Sequence, residues 1–201
     1  MIRGLSILPH FVTENEAEFI VAELDGPRTK DLSQEPGSRW SQQGESRPAQ
    51  HFGARYDYAC RSLAQADPIP TWILPLCYRL RSSGTFEAIP DQIIANNYDG
   101  VDHGIDFHID HQMCFGPVVA SLSLISSTVI TFRHGHKGGP SVPVLLEPRS
   151  LLILANEARY EWHHGIQSAT VQNSIDLVVE RKRRVSITFR TIESQAPRMD
   201  L

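Results

Sequence analysis

Two residues apart in the stretch GIDFHIDH, residues 104–111, stand an imidazole and a carboxylate, His108 and Asp110. On a β-strand, residues i and i+2 share a face about 7 Å apart, so these side chains converge without a special loop. One more histidine would complete a two-histidine, one-carboxylate set, the ligand type of non-haem iron sites that keep coordination positions open. The later stretch YEWHHGI offers His163 and His164. Neighbours on a strand face opposite sides, so only one of them can join. Asp106, His103 and His111 lie close in sequence and leave other ligand sets open. The alternative without a metal is a wet strand face on which polar and apolar residues alternate.

A second pattern sits near the end of the chain, in RVSITFR at residues 184–190. Arg184, Ser186, Thr188 and Arg190 alternate there with Val185, Ile187 and Phe189. One face packs on a core while the other carries two arginines. Burying a guanidinium inside a β-sandwich is costly unless an anion meets it, and its planar fork suits a carboxylate. The two arginines lie roughly 20 Å apart along an extended strand, so long side chains leaning inward could hold a small dicarboxylate between them. An edge strand with its polar face in water would show the same alternation.

The 201 residues, 41% hydrophobic and 21% charged, suit one globular domain with a buried core. Residues 13–24 read as a helix, with Thr13 and Glu16 forming a capping box and Ala17, Ile20, Val21 and Leu24 at helical spacing before Gly26-Pro27. Residues 33–50 are polar and rich in Pro and Gly, a long loop of the kind that is commonly functional or disordered. A second helix is predicted over 71–81, against the presence of Pro75. Strands are predicted at 93–98, 107–110, 118–125, 128–134, 142–146, 150–155, 159–163 and 185–191, with short punctuated spacings that favour a sandwich or barrel. The expected class is mainly β with N-terminal helices. The expected layout is one domain over 1–201, a helical and substrate-loop extension at 1–90 leading into a β core at 91–192.

No apolar run reaches the roughly 18 residues of a membrane span, and the first residues lack a secretory-signal layout. A soluble chain in the cytoplasm and/or nucleus, without membrane contact, is therefore expected. Cys60, Cys77 and Cys114 read as buried thiols of a reducing compartment. A net charge of −4 disfavours unaided binding of long nucleic acid. The basic run at 181–184 is the exception, either a solvated face or a phosphate contact.

HxD, a later His-Gly-Ile and RxSxxxR together resemble AlkB-type Fe(II)/2-oxoglutarate dioxygenases. The stretch IANNYDGVDHGIDFHID is similar to that family's Asn-x-Tyr segment, turn and HxD, with Asp99-Gly100 where Pro-Gly is usual and one extra residue before His108. The segments QHFGARYDY, VVASLSLISSTVITFRH, VPVLLEPRSLLILANEARYEWHHGI and RRVSITFR resemble in particular the AlkB-homologue domain of the tRNA wobble-uridine hydroxylase. The resemblance implies a distorted double-stranded β-helix, or jelly roll, with two supporting helices. It implies Fe(II) bound by His108, Asp110 and His164, the last because it precedes Gly165-Ile166. It also implies 2-oxoglutarate held by Arg184 and Ser186 with Asn96, Tyr98 and Arg190, and O2 as cosubstrate. The implied reaction is hydroxylation of a modified wobble uridine of tRNA. The alternative is oxidative demethylation of N-methylated nucleic-acid bases or of a methylated protein. Trp40, His51, Phe52, Tyr56 and Trp162 are candidates for the substrate side, where aromatic faces could stack on an extruded base; core packing is the competing role. Tyr58 belongs with them. The wobble-uridine enzyme carries an RNA-recognition domain before this core and a methyltransferase domain after it, so an RNA-binding or methyltransferase partner is expected beside a tRNA or other nucleic-acid substrate.

Overall fold

The computed structural model describes residues 2–26, 40–41, 47–57, 62–135, 139–168, 171–173 and 178–194. Tyr58, Cys60 and most of the loop expected over 33–50 lie outside these residues. In chain order the elements are β1 (Leu5–Leu8), α1 (Glu14–Asp25), β2 (Ala49–Phe52), β3 (Ala54–Asp57), β4 (Ser62–Gln65), α2 (Leu74–Ser82), β5 (Gln92–Tyr98), β6 (Ile105–His108) and β7 (Phe115–Leu124). Then follow β8 (Thr128–His134), β9 (Ser141–Leu146), β10 (Leu151–Leu154), α3 (Asn156–Tyr160), β11 (Trp162–Ile166), β12 (Val171–Asn173), β13 (Val178–Glu180) and β14 (Arg184–Ile192).

Two antiparallel sheets form the body. The larger runs β1-β10-β7-β14-β5-β2 and the smaller β6-β11-β8-β9. Strand β14 sits between β7 and β5, and its alternation separates two environments. Val185, Ile187 and Phe189 are fully buried against Ile20 and Leu24 of α1 and Ile73, Leu76 and Leu80 of the α2 segment. Each such side chain contributes about 1.5–3 kcal/mol. The opposite face of the larger sheet meets the smaller one, where Val119, Leu152 and Leu154 pack with Ile130, Phe132, Leu146 and Ile166. This is the jelly roll expected, with α1 and α2 supporting its outer face.

The helices form for legible reasons. Glu16 N–H donates to Thr13 Oγ1 at 3.2 Å and Thr13 N–H to Glu16 Oε2 at 2.8 Å, which closes the capping box. Pro75 falls in the first turn of α2, where its missing N–H has no helical partner to lose, so it starts the helix and shifts it C-terminally from the expected 71–81. Cys77 and Cys114 are buried thiols, and burial pushes Cys77 up to about 11.

Three expectations change. Residues 159–163 are not one strand: α3 ends at Tyr160 and β11 begins at Trp162, because the Arg159 side chain turns inward to backbone carbonyls. Residues before 91 supply strands as well as helices, since β1 and β2 close the two edges of the larger sheet. Strand β6 stops at His108, so Asp110 lies beyond it in the turn.

Candidate active site

Strands β5 and β14 run antiparallel with Arg184 opposite Tyr98, Ser186 opposite Asn96, Thr188 opposite Ile94 and Arg190 opposite Gln92. All eight side chains line one cavity between the sheets. The other wall brings His108 and His164, Cα partners on β6 and β11, with ring centroids 4.5 Å apart. Asp110 joins them, and one ligand atom from each of the three residues lies within 4.8 Å of the others. His163 points away from this cluster, and among the described residues no other group of this kind forms. Asp106 contributes its carbonyl, which accepts from His108 Nδ1 at 2.8 Å. That bond places the proton on Nδ1 and turns Nε2 toward the cluster. His103 Nδ1 accepts from Asp99 N–H at 3.1 Å and His111 lies against Tyr56, and neither joins a ligand set among the described residues.

The glycine after His164 is required by this geometry. A Cβ on Gly165 would lie 2.9 Å from the Ile105 carbonyl and 3.2 Å from Phe107 N, at the register shift that lets β6 approach β11.

Asp110 is held by more than its spacing from His108. Its carboxylate pairs with the Arg190 guanidinium and lies 3.6 Å from His164 Nε2. Burial works to raise this carboxyl, but Arg190 above all, then His164, His108 and Arg159, keep it well below the usual range. His164 is pushed down to about 3 by burial, with His108 adding to the effect, so it presents a neutral ring. Arg190 thus lines the cavity at the Asp110 end, six residues along β14 from Arg184.

At the other end, Arg184 is 4% exposed. Its Nη2 donates to Ser123 Oγ at 2.7 Å, while Nε and Nη1 have no hydrogen-bond partner among the described residues. The buried Asn96 Oδ1 is likewise without one. Tyr98 carries Arg184 and Arg47 on its ring, at 5.1 and 5.3 Å from the centroid. Burial works to raise the Tyr98 phenol, and the two guanidiniums lower it overall. Buried, half-partnered guanidinium beside a phenol and an amide fits a carboxylate ligand.

Of the substrate-side candidates, His51 and Tyr56 line the cavity. Phe52 does not; it is buried among the core residues under the helices, edge-on to Trp72. Trp40 donates Nε1 to Asp25 Oδ1 at 2.9 Å and packs on the same core. Trp162 lies against His134, with centroids 5.0 Å apart, and packs on the core between the sheets. The basic run is partly consumed: Arg183 grips Asp25 through both terminal nitrogens, at 2.9 and 2.6 Å, and Asn97 through Nε. Arg181 donates to the Gln167 carbonyl.

Two further residues had no motif to reveal them. Arg47, 6% exposed, lines the cavity next to Tyr98. Arg159, 1% exposed, donates to the carbonyls of Asp110, Phe115 and Gly116 and so grips the turn that carries the carboxylate. Its acceptors lie 43 to 49 residues away, beyond the reach of any local pattern.

A jelly roll with this His-Asp-His cluster and a buried guanidinium lining the same cavity defines an Fe(II)- and 2-oxoglutarate-dependent oxygenase. The chain matches the 2OG-Fe(II) oxygenase superfamily over residues 4–190 and belongs to it. Relatives within it include proteins named as AlkB homologues. The chain is 28% identical to the tRNA (carboxymethyluridine(34)-5-O)-methyltransferase ALKBH8 of Macaca fascicularis, over 94% of this chain and 30% of that one. It is 29% identical to the Alkylated DNA repair protein ALKBH8 homolog of Arabidopsis thaliana, over 96% of this chain and 59% of that one. It thus spans about 30% and 59% of these relatives' lengths. The solved structure of OsALKBH1 superposes with a TM-score of 0.58 at 17% identity, covering 94% of this chain and 96% of that one, which shows the shared fold. Fe(II) and 2-oxoglutarate are the cofactors that the superfamily and the cluster fit.

Proposed function

We propose that this chain hydroxylates a carbon on a modified wobble uridine of tRNA. In this reading Fe(II) is held by His108, Asp110 and His164, and the far carboxylate of 2-oxoglutarate by Arg184 with Tyr98, Asn96 and Ser186. The observation that carries the cofactor assignment is one cavity lined both by the cluster and by Arg184, whose Nε and Nη1 have no hydrogen-bond partner among the described residues. When bound, iron, 2-oxoglutarate and dioxygen supply an oxidant for a C–H bond, with succinate and carbon dioxide released. The protein orients and shields that chemistry. Arg190 keeps Asp110 ionised, the Asp106 carbonyl sets the His108 tautomer, and Ile94, Val119, Ile130 and Leu154 keep water from the interior.

The substrate assignment is supported by the likeness to ALKBH8, named as an enzyme of tRNA uridine 34. The methyltransferase in that name describes a protein of which this chain spans 30%, and it is not carried over. Tyr56, facing the cavity with its ring tilted by 36° against His111 at 5.2 Å, offers an aromatic surface to a base. Phosphate neutralisation dominates nucleic-acid affinity. With a net charge of −4 and Arg183 tied to Asp25, residues 1–201 act as one catalytic domain that relies on an RNA-binding partner. Oxidative demethylation is the second reading, favoured by the DNA-repair name of the Arabidopsis relative. The same hydroxylation on an N-methyl group gives a hemiaminal that loses formaldehyde.

The test is incubation with tRNA carrying 5-methoxycarbonylmethyluridine, Fe(II) and 2-oxoglutarate, followed by nucleoside mass spectrometry. A gain of one oxygen is the expected result. Loss of methyl groups from methylated bases would transfer the protein to the demethylase class, and no change in either would sink both readings. Arg184→Lys keeps the charge and loses the fork, so the apparent KM for 2-oxoglutarate should rise roughly tenfold, the worth of one charge-assisted hydrogen bond. Iron affinity should not move. An unchanged KM would remove Arg184 from the cosubstrate site.

A further inference from the structure

Gln92 is 1% exposed at the start of β5, and both ends of its amide are engaged. Its Oε1 accepts from Arg190 Nη1 at 3.1 Å, and its Nε2 donates to the Ala54 carbonyl at 3.2 Å. The reverse orientation would set donor against donor and acceptor against acceptor, so the amide has one stable placement. Arg190 passes the connection on, since its other terminal nitrogen pairs with the Asp110 carboxylate. The result is a continuous chain of contacts from Ala54 through Gln92 and Arg190 to Asp110.

The near end of that chain is a ribbon distinct from the main sheets. Strands β3 and β4 pair only with each other among the described residues. Gly53, at φ +78, is the corner where the backbone leaves β2; a Cβ there would lie 2.0 Å from the Asp91 carbonyl, next to Gln92. Two residues beyond Ala54, Tyr56 lines the cavity and lies against His111. Ala54 packs with Phe115, and the Arg190 guanidinium lies 4.6 Å from the Phe115 ring. The aromatic wall of the cavity and the carboxylate of the cluster are thus fixed to one amide.

We propose that Gln92 is a positioning residue that couples the β3–β4 ribbon to Asp110, so that the placement of Tyr56 and the geometry of the iron carboxylate are set together. The proposal rests on Asp110 being an iron ligand. Gln92 is not one of the three ligands; it acts through Arg190 on one side and the Ala54 backbone on the other. Filling the metal site orders Asp110 and Arg190, and Gln92 transmits that order to the ribbon.

Co(II) provides a visible-absorbing substitute for Fe(II), and backbone hydrogen exchange reports on residues 54–57. In the parent protein, Co(II) with 2-oxoglutarate is expected to slow exchange at 54–57. Gln92→Met keeps the length and loses both hydrogen bonds; Co(II) affinity should fall about tenfold, as when a partner that orients a metal ligand is lost, and the slowing at 54–57 should vanish. Gln92→Glu retains an acceptor for Arg190 but sets an acceptor against the Ala54 carbonyl, so it should bind Co(II) more tightly than Gln92→Met and still lack the slowing. Gln92→Glu also carries the test if Gln92→Met fails to fold. A role confined to packing would speed exchange at 54–57 with and without metal and leave the metal-induced slowing intact, which would overturn the coupling. Parent-like Co(II) affinity in Gln92→Met would overturn it too. Asp110→Ala separates the two levels: Co(II) binding that survives this change removes the ligand assignment itself, and the coupling falls with it.

Discussion

His164→Ala is expected to abolish 2-oxoglutarate turnover and iron binding, while His163→Ala leaves both close to the parent. The two imidazoles are adjacent in sequence and lie on opposite faces of β11. Only His164 sits across from His108, with its Nε2 3.6 Å from the Asp110 carboxylate. Burial holds it neutral, so its lone pair is available to a metal without a competing proton. Removing it leaves one imidazole and one carboxylate, too few donors to retain Fe(II) against water. His163 pairs its backbone with Arg133 and faces away from the cavity. Its loss should change stability by about 1 kcal/mol or less. Metal content after dialysis and oxygen uptake with 2-oxoglutarate measure both outcomes. Retained turnover in His164→Ala, or its loss in a folded His163→Ala, would reverse the assignment.

The features legible in the sequence are those written in local alternation. In β14 the odd residues pack beneath the helices and the even ones line the cavity, as the pattern from Arg184 to Arg190 predicts. The capping box at Thr13 is equally local. Asp110 was legible as a partner of His108 for a partly different reason, since the strand that would align them ends at His108. What holds Asp110 in place is tertiary: Arg190 on its carboxylate and Arg159 on its carbonyl. Aromatic residues near QHFG could not be sorted by type. Phe52 and Tyr56 flank the Gly53 corner, and that turn decides that one enters the core while the other meets the cavity. Within the basic run, Arg183 is claimed by Asp25, a partner too far away in sequence for any local pattern to show.

Arg159→Met is expected to cost about 3–5 kcal/mol and to loosen the metal site, although Arg159 contacts no proposed ligand atom. Its Nη1 donates to the Asp110 carbonyl at 2.8 Å, Nη2 to the Phe115 carbonyl at 3.0 Å and Nε to the Gly116 carbonyl at 3.1 Å. Methionine preserves the apolar stem and removes every donor, leaving buried acceptors at about 1–3 kcal/mol each. At roughly 2–4 °C per kcal/mol for a chain of this size, Tm should fall by about 10 °C. Arg159→Lys restores a cation that cannot span three carbonyls. It should recover part of the stability yet keep a metal affinity about tenfold or more below the parent, because the turn carrying Asp110 is no longer fixed from both sides. Thermal unfolding of the metal-free protein and Co(II) titration of the folded Arg159→Lys variant separate these effects. A lysine variant with reduced Tm but parent-like Co(II) affinity would show that Arg159 supports the fold alone, and that the Arg190 pairing suffices to aim the carboxylate.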